Sequence, residues 1–258
     1  QNFKNIFRKI QKKFLKNFLK NIDLISCETK ECFDEIRENG LCNFDISDKL
    51  IRIQNGFDEE YLIENNTKVK NFEEKENIMI TVGRIGTEQK NNEMLLKVIN
   101  KMDLKDWKIY IIGPYTEEFK EYYDSFIKNN SDKKDKVILV GNIENKNLLY
   151  DYYNRAKVFL LTSRWEGFAI VYPEALRFGN YIITTDVGGA KDITNNGEIG
   201  GVTEIENEEQ YKNEILKVIN EEINLKEKYN QSLEWSEENF LWNNIVKHKK
   251  FKEFFVEE

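Results

Sequence analysis

Between Ile78 and Thr184 the chain alternates short, almost wholly apolar runs with longer amphipathic stretches. The runs predict strands at Ile78 to Val82, Lys108 to Ile112, Val137 to Val140, Val158 to Leu161 and Tyr181 to Thr184, with Gly200-Gly201-Val202 carrying one more. The 3.6-residue periodicity of the gaps predicts helices over Asn91 to Met102, Glu117 to Lys128, Asn147 to Arg155 and Tyr172 to Phe178. Continuous apolar strands alternating with amphipathic helices imply an α/β fold with a parallel sheet buried on both faces. A ligand crevice is then expected at the carboxyl ends of the strands.

The first 22 residues follow a different pattern. Phe3, Ile6, Phe7, Ile10, Phe14, Phe18 and Ile22 fall on one helical face, while Lys4, Arg8, Lys9, Lys12, Lys13, Lys16 and Lys20 add seven positive charges without an acid. Such a helix either packs on its own sheet with a solvated basic face or lies on an anionic membrane surface. Packing is the preferred reading, because the pattern runs straight into strand-like sequence at Asp23 to Cys27. A helix over Glu28 to Glu38 and a short strand over Lys49 to Ile53 follow, ending in the turn Asn55-Gly56. The charged stretch from Glu59 to Asn77 reads as a connection between domains. Two or three helices close the chain, with Trp235, Phe240, Trp242, Phe251, Phe254 and Phe255 as apolar anchors.

Composition narrows the function classes. With 258 residues, 40% hydrophobic and 13% aromatic, the chain can bury one large or two modest cores. A net charge of −7 speaks against a nucleic-acid partner. Cys27, Cys32 and Cys42 form no CxxC pair and leave an odd thiol, the usage of a reduced, cytoplasmic setting. His248 is the only histidine, which removes Ser-His-Asp and Cys-His sites and histidine-rich metal sites. No apolar run reaches the ~18 residues of a membrane span. A start at Gln1 is read as that of a piece excised from a longer protein.

Chemistry concentrates in two loops. In Arg164-Trp165-Glu166-Gly167-Phe168-Ala169-Ile170-Val171-Tyr172-Pro173-Glu174, two acids have seven residues between them, with a glycine turn after the first. Glu166 would sit in the loop after strand Val158 to Leu161, and Glu174 in the first turns of the next helix, both at the carboxyl edge. The amides near Gly167 and Phe168 open that helix, where an anion is favoured. Taken alone, the pair reads as a solvated Glu166 and a Glu174 that merely complements the helix dipole. The second loop, Val82 to Asn91, brings Arg84 and Lys90, able to grip phosphate oxygens as a fork and a point charge. Alone these are ordinary surface charges. No GxGxxG opens a helix and no GxxxxGK[ST] occurs, which disfavours dehydrogenases and P-loop enzymes.

The segment EGFAIVYPEALRFGNYIITTDVGG resembles the signature of the group-1 retaining glycosyltransferases of the GT-B fold, whose two glutamates Glu166 and Glu174 match in register. The resemblance implies a Rossmann-like donor-binding half with part of a second Rossmann-like unit: residues 1–58 as the end of the acceptor-side domain, 59–239 as the nucleotide-sugar domain, and 240–258 as a helix crossing back. It implies that Glu166 contacts the transferred sugar, Glu174 the ribose hydroxyls, and Arg84 and Lys90 the diphosphate. Gly167, Phe168 and Ala169 would offer backbone contacts, although Ala169 stands where the family more often has Pro. The loops at Gly113-Pro114 and Gly141-Asn142-Ile143 would line the nucleobase pocket, and Ser163 and Arg164 would lie within reach of the donor. No Asp-x-Asp pair is present, so transfer without a metal or other cofactor is expected, with UDP- or GDP-sugar as donor.

The stretch KLIRIQNGFDEEYL resembles the family's crossing segment, whereas its glycine-rich donor loop and active-site histidine have no counterpart. Two function classes follow: a hexosyl-type transferase acting on a glycan or lipid-linked acceptor at the inner face of the membrane, and a donor-binding module inactive alone. An epimerase or phosphorylase on the same architecture is a more distant alternative.

Overall fold

The structure, a computed structural model, describes residues 2–247, and side chains from Gln11 onward. The chain divides into two compact units between Gln54 and Asn55.

The first unit contains α1 (Asn2–Asn21), β1 (Ile25–Cys27), α2 (Lys30–Asn39) and β2 (Leu50–Arg52). Its two strands pair in parallel, Ile25 opposite Leu50 and Cys27 opposite Arg52. Leu19, Cys27, Ile46 and Leu50 form its core, with Leu15, Phe33 and Ile36 packed on it. The inward stripe of α1 is therefore Leu15 and Leu19, and the neighbouring Phe14 and Phe18 are 73% and 53% exposed. This corrects the sequence-based stripe: two adjacent apolar rows exist, and the small sheet selects between them. Lys49 Nζ closes the end of α1 by donating to the carbonyls of Leu19, Lys20 and Ile22 at 2.7–3.2 Å. The apolar positions expected at Phe3, Ile6, Phe7 and Ile10 have side chains outside the described set.

The second unit runs through α3 (Glu59–Glu64), β3 (Ile78–Val82), α4 (Asn92–Asn100), β4 (Lys108–Ile112), α5 (Glu117–Asn129), β5 (Val137–Gly141) and α6 (Lys146–Arg155). It continues with β6 (Val158–Leu161), α7 (Val171–Arg177), β7 (Tyr181–Thr185), α8 (Ala190–Ile193) and β8 (Gly200–Thr203). The helices α9 (Glu208–Ile219), α10 (Leu225–Asn239) and α11 (Trp242–Ile245) complete it. Asparagine and threonine start these helices as their short polar side chains permit: Thr116, Asn145, Asn207 and Asn224 each accept from an amide of the following first turn.

The six strands lie in the order β5-β4-β3-β6-β7-β8, every pair parallel. Alternate strand residues feed opposite faces. Met79, Ile109, Ile111, Leu160 and Ile183 meet α4 and α9 through Leu95, Ile99 and Ile215. Ile80, Val82, Phe159 and Ile182 meet Tyr150, Tyr153, Tyr172 and Phe178 from α6, α7 and the turn after it. Each such side chain, fully buried, contributes about 1.5–3 kcal/mol. Strand order reverses between β3 and β6, so the loops after these two strands face one another at a topological switch point.

The stretch 59–77, expected as a connection, is folded onto the second unit. Leu62 is buried, Arg177 forks Glu59, and Tyr229 donates to the Lys70 carbonyl at 2.9 Å. Its few apolar residues were too sparse to show a helical period, and polar contacts with distant residues hold it. The chain's entry to and exit from this unit are laced together: Phe57 N–H donates to the Phe240 carbonyl and Trp242 N–H to the Phe57 carbonyl. Phe251, Phe254, Phe255 and His248, and most of the helix expected over 240–258, lie outside the described residues.

Candidate active site

The switch point brings together the loops 83–91 and 162–170, which follow β3 and β6. Their backbones are joined by Arg164 N–H donating to the Gln89 carbonyl (2.8 Å) and by Thr162 Oγ1 donating to the Lys90 carbonyl (2.8 Å). Between them, Glu166 is enclosed. Its Oε1 accepts from Lys90 Nζ at 2.7 Å and from Ser163 Oγ at 2.7 Å, and its Oε2 accepts from Gln89 Nε2 at 3.1 Å. The side chains of Lys90 and Glu166 are 13% and 8% exposed, so the ion pair is shielded from water.

Arg84 belongs to the same cluster. Its Nη2 donates to Gln89 Oε1 at 2.7 Å, and the residue is exposed. Gln89 therefore spans the two loops, holding Arg84 through its carbonyl and Glu166 through its amide nitrogen, which also reaches the Trp165 carbonyl at 3.0 Å. Arg164 lies on the outer side of the loop pair, with Nε on Glu206 (2.6 Å) and Nη1 on the Glu88 carbonyl (2.6 Å). Its position is that of a brace.

Glu174 occupies a different environment one turn into α7. Tyr153 of α6 donates its hydroxyl to Glu174 Oε2 at 2.9 Å. Burial lifts the carboxyl above its usual range; the Tyr153 bond and the charge of Lys146 act in the opposite direction. Gly167, Phe168 and Ala169 form the bend before α7. The Phe168 ring is buried against Tyr172 and Phe240, and its carbonyl accepts from Asn55 Nδ2 at 3.1 Å.

Two glycines are required by close backbone approach. A Cβ on Gly113, whose φ is +134°, would lie 1.8 Å from the Gly83 carbonyl oxygen; one on Gly188 would lie 2.1 Å from that of Gly167. These contacts let the loops after β4 and β7 close onto those after β3 and β6. Beyond β5, Asn142 is exposed and Ile143 half-buried against the aromatic core.

The structure thus assembles Arg84, Lys90, Ser163 and Glu166 in one cluster, sets Glu174 on the adjoining helix, and leaves Gly113, Asn142 and Ile143 on the neighbouring strand ends. Sequence reasoning passed over Gln89 and Tyr153. Nothing in the sequence marks either, since their partners lie 77 and 21 residues away. Among the described residues no group of three or more His, Cys, Asp or Glu could hold a metal ion.

A family model described as Glycosyl transferases group 1 matches residues 63–234, which include every residue of this cluster. The chain belongs to the group 1 glycosyl transferases. The six-stranded parallel sheet is the Rossmann-like half of their GT-B fold. Among curated relatives, an uncharacterized 41.2 kDa protein in the cps region of Klebsiella pneumoniae is 32% identical over 133 residues, covering 52% of this chain and 34% of its own. The capsular polysaccharide biosynthesis glycosyltransferase CapM of Staphylococcus aureus is 24% identical over 210 residues, covering 75% of this chain and 54% of its own. The chain spans about a third to a half of the length of these relatives. Among solved structures, S. aureus TarM, in complex with Fondaparinux, alpha-GlcNAc-glycerol and UDP, superposes with a TM-score of 0.71 at 18% identity, covering 95% of this chain and 46% of that one.

Proposed function

We propose that this chain is the donor-binding part of a retaining glycosyltransferase that moves a hexosyl group from a UDP- or GDP-sugar to a glycan or lipid-linked acceptor, without a metal. The observation that carries the reading is the meeting of Arg84, Lys90 and Glu166 at the switch between β3 and β6. As an acceptor hydroxyl oxygen bonds to the anomeric carbon, the bond from that carbon to the diphosphate oxygen breaks, its electron pair leaves with the phosphate, and the hydroxyl proton passes to the departing phosphate. Arg84 and Lys90 are placed to offset that charge, Lys90 from a position shielded from water. Lys90 would exchange its contact with Glu166 for one with phosphate, freeing the carboxylate to accept from sugar hydroxyls. Glu174 would hold the ribose. A role in surface polysaccharide synthesis is supported by the description of CapM, and a uridine nucleotide by the UDP bound to TarM.

Calorimetric titration with UDP and GDP in the presence of a chelator tests this reading. One nucleotide should bind, and Arg84→Ala and Glu174→Ala should each weaken it at least tenfold, about 1.4 kcal/mol. A folded chain that binds neither nucleotide overturns it.

A contact of α1 with an anionic membrane belongs to the same proposal. Phe14 and Phe18 are exposed beside Lys12, Lys13, Lys16 and Lys20, an apolar pair framed by cations. No helix among the described residues is long and apolar enough to cross a membrane. The chain should sediment with vesicles containing phosphatidylglycerol, less so at high salt and less so as Phe14→Ser/Phe18→Ser; no sedimentation, or equal partition to neutral vesicles, overturns a contact with an anionic membrane.

A further inference from the structure

We propose that Tyr153 is a positioning residue for the nucleotide's ribose: its hydroxyl fixes Glu174 Oε2 and thereby presents Oε1 to the ribose hydroxyls. The inference rests on the reading of Glu174 as the ribose ligand and adds the group that aims it. Tyr153 is built to be immobile. Its ring is stacked between Phe159 and Phe178, each with centroids 6.0 Å away and planes within 17°. Its main chain is clamped at the end of α6, where the carbonyl of Tyr153 accepts from Asn180 Nδ2 at 2.9 Å and that of Ala156 from Asn180 Nδ2 and Lys75 Nζ at 2.6 and 2.8 Å. Lys75 also donates to the Asn154 carbonyl at 2.9 Å, its own ammonium pushed down to about 7 by burial.

A phenol held this firmly offers one hydrogen bond in one direction, and Glu174 takes it at 2.9 Å. The two residues sit on different helices, so the bond fixes the carboxylate relative to the sheet as well as to α7. Among the described residues no second donor reaches Glu174, which leaves Oε1 as the acceptor for a ligand. The charged and titratable groups facing the carboxyl all come from α6: Lys146, Tyr150 and Tyr153. Burial favours the neutral acid, which would donate where a ribose hydroxyl must donate. The Tyr153 bond opposes burial and favours the ionised, accepting form of the carboxyl.

Tyr153→Phe removes one oxygen and keeps the ring stack. Its affinity for UDP and GDP should be compared with that for their 2′,3′-dideoxy counterparts, from pH 5.5 to 8.5, beside wild type and Glu174→Gln. Wild type should prefer the ribonucleotide; Tyr153→Phe should lose roughly tenfold of that preference with little change toward the dideoxy form. Its binding should also fail at a higher pH than in wild type as the solution is acidified, since the remaining influence on Glu174 is dominated by burial. Equal weakening toward both nucleotides, with a lowered melting temperature, would reduce Tyr153 to a structural role and overturn the proposal. If Glu174→Gln abolishes the preference and Tyr153→Phe keeps it, the positioning role falls while the ribose role of Glu174 stands. If Glu174→Gln keeps the preference, or wild type binds no nucleotide, both fall together.

Discussion

Glu166 and Glu174 share a residue type and a helix entrance, yet their surroundings assign them opposite chemistry. Glu166 has a cation and a hydroxyl on one oxygen and an amide on the other, so both of its oxygens are held in place. Glu174 has one phenol and an aromatic wall, and burial raises its pKa above the ordinary value of 4.5. A raised folded-state pKa means that the folded chain binds the proton more tightly than the unfolded chain. Stability is therefore lost as pH rises through the folded pKa, where a buried carboxyl must ionise. Glu174→Gln accepts the same Tyr153 bond and never ionises. Its melting temperature should exceed that of wild type at pH 7.5 by a few degrees, with ~1 kcal/mol corresponding to about 2–4 °C for a chain of this size. The difference should shrink as pH falls toward 4.5, where the wild-type carboxyl is protonated in the folded chain. A less stable Glu174→Gln at pH 7.5 would show that the carboxylate is favoured by its site and would reverse this account of burial.

At the scale of elements, strands were far more legible than the contacts between loops. Ile78–Val82, Lys108–Ile112 and Val158–Leu161 agree residue for residue with the apolar runs, because a strand buried on both faces tolerates almost nothing polar. Helix ends shifted by a residue or two, as caps such as Asn145 rather than apolar period decide them. The inward stripe of α1 was misread because Phe14/Phe18 and Leu15/Leu19 are equally periodic, and only the packed sheet separates them. The candidate site was half legible. Arg84, Lys90, Glu166 and Glu174 were reached through the resemblance to the family signature, and the strand order explains why the first three meet. Gln89 reaches Glu166 on another loop and Tyr153 reaches Glu174 on another helix, and no local pattern reveals either contact. The need for glycine at Gly113 comes from the Gly83 carbonyl of a neighbouring loop, which no local pattern shows.

For the whole molecule, the two units differ most in how much they bury. The first has strands of three residues each and a core resting on Leu19, Cys27, Ile46 and Leu50. The second has a six-stranded sheet with a separate apolar core on each face, and its ends are tied by the bonds between Phe57 and Phe240–Trp242. Stability scales with the surface removed from water, and units of this smaller size are marginal when they fold alone. Local opening should therefore expose the first unit long before the second. Native-state hydrogen exchange with increasing urea reads this directly. Amides of β1 and β2 should exchange through an opening that needs little denaturant, while those of β3, β6 and β7 should open only with global unfolding. UDP or GDP, if bound at the β3–β6 switch, should raise protection of the second set, since ligand held only by the folded unit adds its binding free energy to the opening of that unit. A single urea dependence shared by β1 and β6 would instead show one cooperative fold, with the small unit drawing its stability from the large one.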